Sequence, residues 1–328
     1  MSGFVSRNRL ILLAYLGMVA LLLLTALFSP GFLSESNLRS TLVLAAFVGI
    51  VALGQTFVII GGGIDLSIPW VLNSAAVLMT LFCAGQDLPL VWVGPLILAG
   101  GALIGLVNGV GVALFGVPPI IMTLAANVIL QGLILVFTGG SPTPSAPELI
   151  KFLAVGRLGP VPVIALIWGG LAIVASVLLS KAAFGRHLYA LGSSATVAEF
   201  SGVPTSRTII LTYVTSGLTA SFAGMLLTGY SGQAYLGMGD PYLFTSVAAV
   251  AIGGASILGG SGHYLGTIAG ALVLTILTGL LPALNLSNGA LLVVYGAVIL
   301  VTVSLGSETF SSLWRLGTKS KKPNREGE

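Results

Sequence analysis

Few residues of this 328-residue chain are equipped for chemistry, and their placing narrows the choice. Asp65, in the stretch GQTFVIIGGGIDLS, sits among apolar runs with no basic residue near it in sequence. Asp240, in GYSGQAYLGMGDPY, is the only charge between Arg207 and Glu308. A carboxylate inside hydrocarbon costs roughly 3 kcal/mol or more unless it is solvated or paired. Asp65 is therefore expected either to cap the helix that follows it at a cytoplasmic edge, where the dipole favours it, or to shape an inner gate. Proton coupling normally asks for more than one isolated acid. Gln55, Thr56, Asn73, Asn108, Asn127 and Gln131 add uncharged donors and acceptors within apolar segments. Such groups hold neutral, hydroxyl-rich solutes, and they also serve as hydrogen bonds between helices. The scarcity of charge argues against a charged solute held by ion pairs.

Other chemistries find no support in the spacing. His187 and His263 have no second histidine or acid at ligand spacing, so surface or packing roles are expected for both rather than metal binding. His187 and Glu199 share a segment without a nucleophile–base–orienter arrangement, which disfavours an enzyme. Cys83 is the single cysteine, so neither an intrachain disulfide nor a cysteine-rich metal site can form.

The elements that position these residues are hydrophobic almost throughout. Apolar residues make up 56% of the chain and charged residues 7%, against about a quarter charged in a soluble domain. The mean hydropathy is +1.07. Repeated apolar windows of spanning length point to an all-α, polytopic membrane protein of about ten transmembrane helices, without a separate globular module. The spans fall near residues 10–28, 40–60, 67–83, 91–115, 120–138, 163–179, 208–228, 243–258, 264–281 and 289–305, the third and eighth being short enough for half-helices. Ser67 and Pro69 mark a helix start, with serine as cap and proline in the first turn. Arg7 and Arg9 precede the first span without a convincing cleavage site, so it is expected to be retained.

Ten of the thirteen Lys and Arg residues lie before the first span, in the segment 181–207 and in the tail. The positive-inside rule makes those regions, and both termini, cytoplasmic. The expected organisation is a cytoplasmic segment 1–9, a transmembrane domain 10–305 and a polar cytoplasmic tail 306–328. The proline-rich stretch 139–162 is external. The basic, water-compatible segment 181–207, KAAFGRHLYALGSSATVAEFSGVPTSR, is expected to dock a soluble motor.

Glycine clusters interrupt the apolar pattern at 54–67 and in AIGGASILGGSG at 251–262, positions that correspond if the two halves share a repeat. Interrupted segments in matching halves point to a translocation pathway, and small residues also pack helices closely. Pathway or gate residues are therefore sought among Gln55, Gly62, Gly63, Asp65, Asn73, Asn127, Gly253 and Gly254.

Four stretches carry a resemblance to a known family: GQTFVIIGGGIDLS (54–67), NGVGVALFGVPPIIMTLAANVILQGLILVFTGG (108–140), FGRHLYALGSSATVAEFSGV (184–203) and AAVAIGGASILGGSGHYLGTIAGAL (248–272). In order and spacing the chain resembles the membrane subunit of bacterial ABC importers of the ribose/galactose/xylose, or branched monosaccharide, class. It departs at Leu243 and Thr245, where many relatives carry an acidic pair. The resemblance implies a homodimer in the bacterial inner membrane, powered by cytoplasmic ABC ATPase subunits and fed by an external sugar-binding protein. It places Gly185, Arg186, Tyr189, Ala190, Gly192, Ala198, Glu199, Ser201 and Gly202 in the loop that docks on the ATPase, with a short coupling helix near Ala195–Ser201. Arg186 would meet a partner carboxylate or hold the loop at the anionic membrane surface. No GxxxxGK[ST] run occurs, so ATP and Mg2+ would be bound by the partner and no cofactor by this chain. The competing reading is an ion- or proton-coupled secondary transporter of a small polar solute.

Overall fold

The computed structural model describes residues 9–140, 144–283 and 288–306. The expected cytoplasmic N-terminal segment and polar tail lie largely outside the described residues. Among the described residues thirteen α-helices occur in the order α1 Arg9–Phe28, α2 Glu35–Ile60, α3 Ile68–Cys83, α4 Leu90–Ala113, α5 Pro119–Thr138, α6 Glu148–Val155, α7 Val163–Ser180, α8 Ala183–Ser193, α9 Ala195–Phe200, α10 Thr205–Ser231, α11 Tyr242–Ile252, α12 Tyr264–Ala283 and α13 Asn288–Gly306. A two-strand hairpin, β1 Arg157–Leu158 with β2 Val161–Pro162, sits between α6 and α7.

Each of the ten expected spans contains a helix, but they are not ten equal crossings. Six helices among the described residues (α1, α2, α4, α5, α7 and α10) are long and apolar enough to cross a membrane. With 16 residues α3 reaches roughly 24 Å, and with 11 residues α11 reaches roughly 16 Å, against a hydrocarbon core of about 30 Å. The eighth span, expected to run to residue 258, stops at Ile252. Gly254, Gly259, Gly260 and Gly262 all adopt positive φ there, a backbone that no helix continues. The segment 181–207, expected as a loop with a short helix near Ala195–Ser201, carries that helix as α9 and a second, α8, before it, and runs into α10.

Two long helices form the centre. From Val43 to Ile60 almost every residue of α2 is buried. The 27 residues of α10 extend roughly 40 Å. A seam of small residues lets α10 approach its neighbours at backbone distance. A Cβ on Gly217 would strike the Gly101 carbonyl of α4, and one on Gly224 would strike the Leu72 carbonyl of α3. Lipid offers no hydrophobic drive between helices, so such close van der Waals contact is what holds them. In contrast, α1 and α5 turn large apolar side chains outward, Leu27 at 80% and Val136 at 86% exposed, as lipid-facing helices do.

The connecting segments gather at two ends. At one, Leu149 N donates to Asp87 Oδ1 at 2.9 Å and Ala146 N to the Gly232 carbonyl at 2.8 Å. At the other, Gly260 N donates to the Ile60 carbonyl at 2.9 Å and the Tyr189 hydroxyl to the Gly262 carbonyl at 2.7 Å.

Candidate functional site

Two interruptions of the helical core organise the polar residues. The first, residues 61–67, joins α2 to α3. Here α2 unwinds at Gly62, whose φ is +86°. Asp65 then turns inward and is 2% exposed. Its Oδ1 accepts from Ser67 N at 2.9 Å and Ser67 Oγ at 2.6 Å, and its Oδ2 accepts from Ser216 Oγ of α10 at 2.7 Å. Asn108 Nδ2 of α4 donates to Ser67 Oγ at 2.9 Å. The carboxylate is thus held by hydroxyl and backbone amide donors from the break itself and from α10, with Asn108 of α4 bonded to Ser67 behind them and no ion pair to it among the described residues. Three hydrogen bonds to a charge offset much of its desolvation.

This corrects the capping expectation in two respects. Ser67 makes no side-chain cap on α3, because its hydroxyl proton is given to Asp65. The exposed amides of the helix start are met from α5 instead. Leu66 N donates to Thr123 Oγ1 at 3.0 Å and Trp70 N to Asn127 Oδ1 at 3.3 Å. Nor does Asp65 lie at an edge. Ser216 stands roughly 17 Å along α10 from Thr205, well inside the bundle.

The second interruption, residues 232–241, joins α10 to α11 and re-enters from the opposite end. Gly239 packs so closely on α3 that a Cβ there would strike the Pro69 carbonyl. Asn73 Nδ2 donates to the Tyr235 carbonyl at 3.0 Å, and the Trp70 side chain lies near Asp240. The N-termini of the half-helices α3 and α11 therefore meet inside the bundle, and the two helices run to opposite ends. The glycine pairing expected from sequence, 54–67 with 251–262, is not the structural correspondence. The counterpart of the α2–α3 break is the α10–α11 break, since each follows a long central helix and precedes a short one.

The 253–263 turn has another role. It lies against the end of α2 and against α8, with Gly192 between them: a Cβ on Gly192 would strike the Ile60 carbonyl and Gly260 N. Leu188, fully buried, lies beside Gly61. Gly185 meets the Leu178 and Leu179 carbonyls at the end of α7. One face of α8 thus touches both glycine turns, while Arg186 on its other face is exposed and reaches the Lys181 carbonyl at 3.3 Å. On α9, Ala198 is buried and Glu199 and Ser201 are exposed, with Ser201 Oγ bonded to the Val197 carbonyl at 2.8 Å. Gly202, φ +77°, closes α9 in open space. Two outward apolar side chains of α9 are not among the residues expected from sequence, Phe200 at 89% and Val197 at 62% exposed. Their position on a polar, exposed six-residue helix was the signal available.

The remaining expected pathway residues separate. Asn73 and Asn127 converge on Trp70 and the second break. Gly63 abuts the Tyr213 hydroxyl, which is buried without a partner among the described residues. Gly253 is a packing residue, since a Cβ there would strike Gly266 of α12, and Gly254 supplies a positive φ of 82°. Gln55 is fully buried, and neither of its amide atoms has a partner among the described residues, whereas its neighbour Thr56 bonds Thr267 of α12 at 2.9 Å. His263 Nδ1 accepts from Leu265 N at 3.1 Å and so caps α12.

Comparison with known proteins agrees with this architecture. The ribose import permease protein RbsC of Bacillus subtilis is 36% identical over 89% of this chain and 91% of its own length. RbsC of Escherichia coli K12 is 34% identical over 87% and 91%. The autoinducer 2 import system permease protein LsrD of Salmonella paratyphi B is 32% identical over 78% and 79%. No solved structure matches the chain. Residues 37–303 match the family described as branched-chain amino acid transport system / permease component. The chain belongs to that permease family and is a multi-pass protein of the inner membrane.

Proposed function

We propose that the chain is the membrane-spanning subunit of an ATP-driven, binding-protein-dependent importer that moves a neutral monosaccharide into the cytoplasm by alternating access. The observation that carries this reading is the seating of α8 against both glycine turns through Gly192. A soluble motor pulling on α8 and α9 would act on the end of α2 and on the 253–263 turn together. Arg186, Tyr189, Glu199, Ser201 and Gly202 belong to that coupling surface. The chain works as a homodimer around a central pathway, with 139–162 outside and both termini, 181–207 and the tail inside. ATP and Mg2+ are held by the partner ATPase, and this subunit binds no cofactor. That the buried Asp65 forms no ion pair among the described residues suits a neutral solute.

The sugar class follows from the two ribose permeases, and a sugar-like signalling molecule is the second reading, since LsrD belongs to an autoinducer 2 import system. The test is uptake into lipid vesicles holding this chain with its ATPase and binding protein. Radiolabelled pentoses, hexoses and autoinducer 2 are offered with and without ATP. Accumulation of one of them that requires both ATP and the binding protein is expected. Accumulation without ATP, abolished by an uncoupler, would instead establish the secondary transporter.

A further inference from the structure

The second break presents a carboxylate where a membrane protein does not offer one to lipid. Asp240 is exposed, although Gly239 beside it packs on the Pro69 carbonyl at the start of α3. The level is fixed by α10: Leu72, about one turn above Pro69, contacts Gly224. That places Asp240 roughly 15 Å inside the Ser231 end of α10. An acid at such depth faces a water-filled cavity or a bundle interior, because hydrocarbon cannot solvate it.

The neighbours of Asp240 are suited to a polyol. Tyr235, in the same loop, is 56% exposed and Phe244 of α11, four residues after Asp240, is 49% exposed, so two aromatic rings near in sequence to the carboxylate are open to the surroundings. Trp70 lies between Asp240 and α5, since its side chain is near the carboxylate and its backbone N–H bonds Asn127 Oδ1. Asn73, fully buried, gives its Nδ2 to the Tyr235 carbonyl, and its Oδ1 has no partner among the described residues. Ionised carboxylate and amide oxygens accept from hydroxyls, and aromatic faces take the apolar side of a sugar ring.

We infer that the face bearing Asp240 and Tyr235 lines the water-filled pathway, and that these two residues form a contact site for a neutral polyhydroxylated solute. The solute part of this inference rests on the importer reading above; the water-lined face does not. Asp240 would accept hydrogen bonds from solute hydroxyls while Tyr235 stacks on the ring, with Gly239 seating the loop on the start of α3.

The experiment uses the full chain, with Cys83→Ala, assembled with its ATPase in lipid vesicles. Asp240→Cys and Tyr235→Cys are each treated with a membrane-impermeant thiosulfonate, and Leu133→Cys, on the exposed face of α5, serves as the lipid-facing control. Modification at 240 and 235 at least tenfold faster than at 133 is expected, slowed severalfold by the transported sugar. Either position suffices should the other variant fail to assemble. Rates at both no faster than at 133 would overturn the water-lined face. Fast modification that the sugar of the uptake assay leaves unchanged would overturn the contact site alone. Failure of ATP-dependent uptake would count against the importer reading while leaving the modification rates interpretable.

Discussion

The α2–α3 and α10–α11 breaks put the same residue types to opposite uses. Each follows a long helix, turns on glycine, carries one aspartate and then a proline: Gly63, Asp65 and Pro69 in one, Gly239, Asp240 and Pro241 in the other. The first enters from the end where α8 lies and the second from the end where α6 lies. Asp65 is 2% exposed and fully engaged by Ser67 and Ser216, whereas Asp240 is exposed beside Trp70. The pair shows how one charge per break serves two ends: an aspartate whose oxygens are all occupied locks helices, and one with free lone pairs remains available to a solute. The location of donors decides between them. Two serines and an asparagine converge on the first break, and an indole with aromatic neighbours on the second.

The largest effect is expected where a motor's motion would enter the first break. In Gly192→Leu the side chain must displace the Ile60 carbonyl and Gly260, both backbone, so α8 cannot keep its seat. Sugar uptake should fall at least tenfold while ATP hydrolysis by the assembled complex persists. Gly202→Leu meets no neighbour and bears only the strain of a positive φ, about 1 to 2 kcal/mol, so its loss should be milder. Equal, wild-type coupling in both would remove α8 and α9 from the path between motor and gate.

Next come the two aspartates themselves. Asp65→Ala leaves Ser67 N, Ser67 Oγ and Ser216 Oγ without their acceptor in a dry interior, at a cost of about 3 kcal/mol or more. Asp240→Asn at an exposed site should cost about 0.5 kcal/mol. Thermal unfolding of the purified protein should therefore drop strongly for the first and little for the second. Uptake by folded protein should show the greater specific loss for Asp240→Asn. If the two variants unfold alike, the distinction between a locking and a presenting acid fails.

Much of this architecture is legible in the sequence. Hydropathy locates the ten long apolar segments that bear helices, though not α6, α8 and α9, because hydrocarbon demands satisfied backbone over lengths set by its thickness. The basic segment and the glycine clusters likewise mark, from local composition alone, where α8 and the two turns beside it lie. The pairing of the breaks is not legible. The cluster at 251–262 has more consecutive glycines than 232–241, yet its Gly253 serves mainly to pack α11 on α12. Composition within a window does not tell close packing from a pathway. Likewise nothing around Ser67 foretells that Asp65 would accept its hydroxyl hydrogen bond, or that Asn127, distant in sequence, would meet the start of α3. Those partners are set by tertiary packing.

The smallest expected effect concerns Gln55, which belongs to neither lock nor surface. A buried amide with no partner costs about 1 to 3 kcal/mol relative to an apolar side chain of similar shape. Its neighbours offer it nothing, since Gly54 packs on Ser216 and Thr56 is already bonded to Thr267. Gln55→Leu should therefore raise the stability of this conformation by about 1 kcal/mol, read as a higher unfolding midpoint. On the proposed alternating-access cycle, α2 would shift in another state and the amide would meet water or solute there. The same variant should then slow uptake, because it favours the resting conformation and removes that contact. A stabilised variant with undiminished uptake would make Gln55 a packing imperfection, and would confine the solute-facing chemistry to the second break.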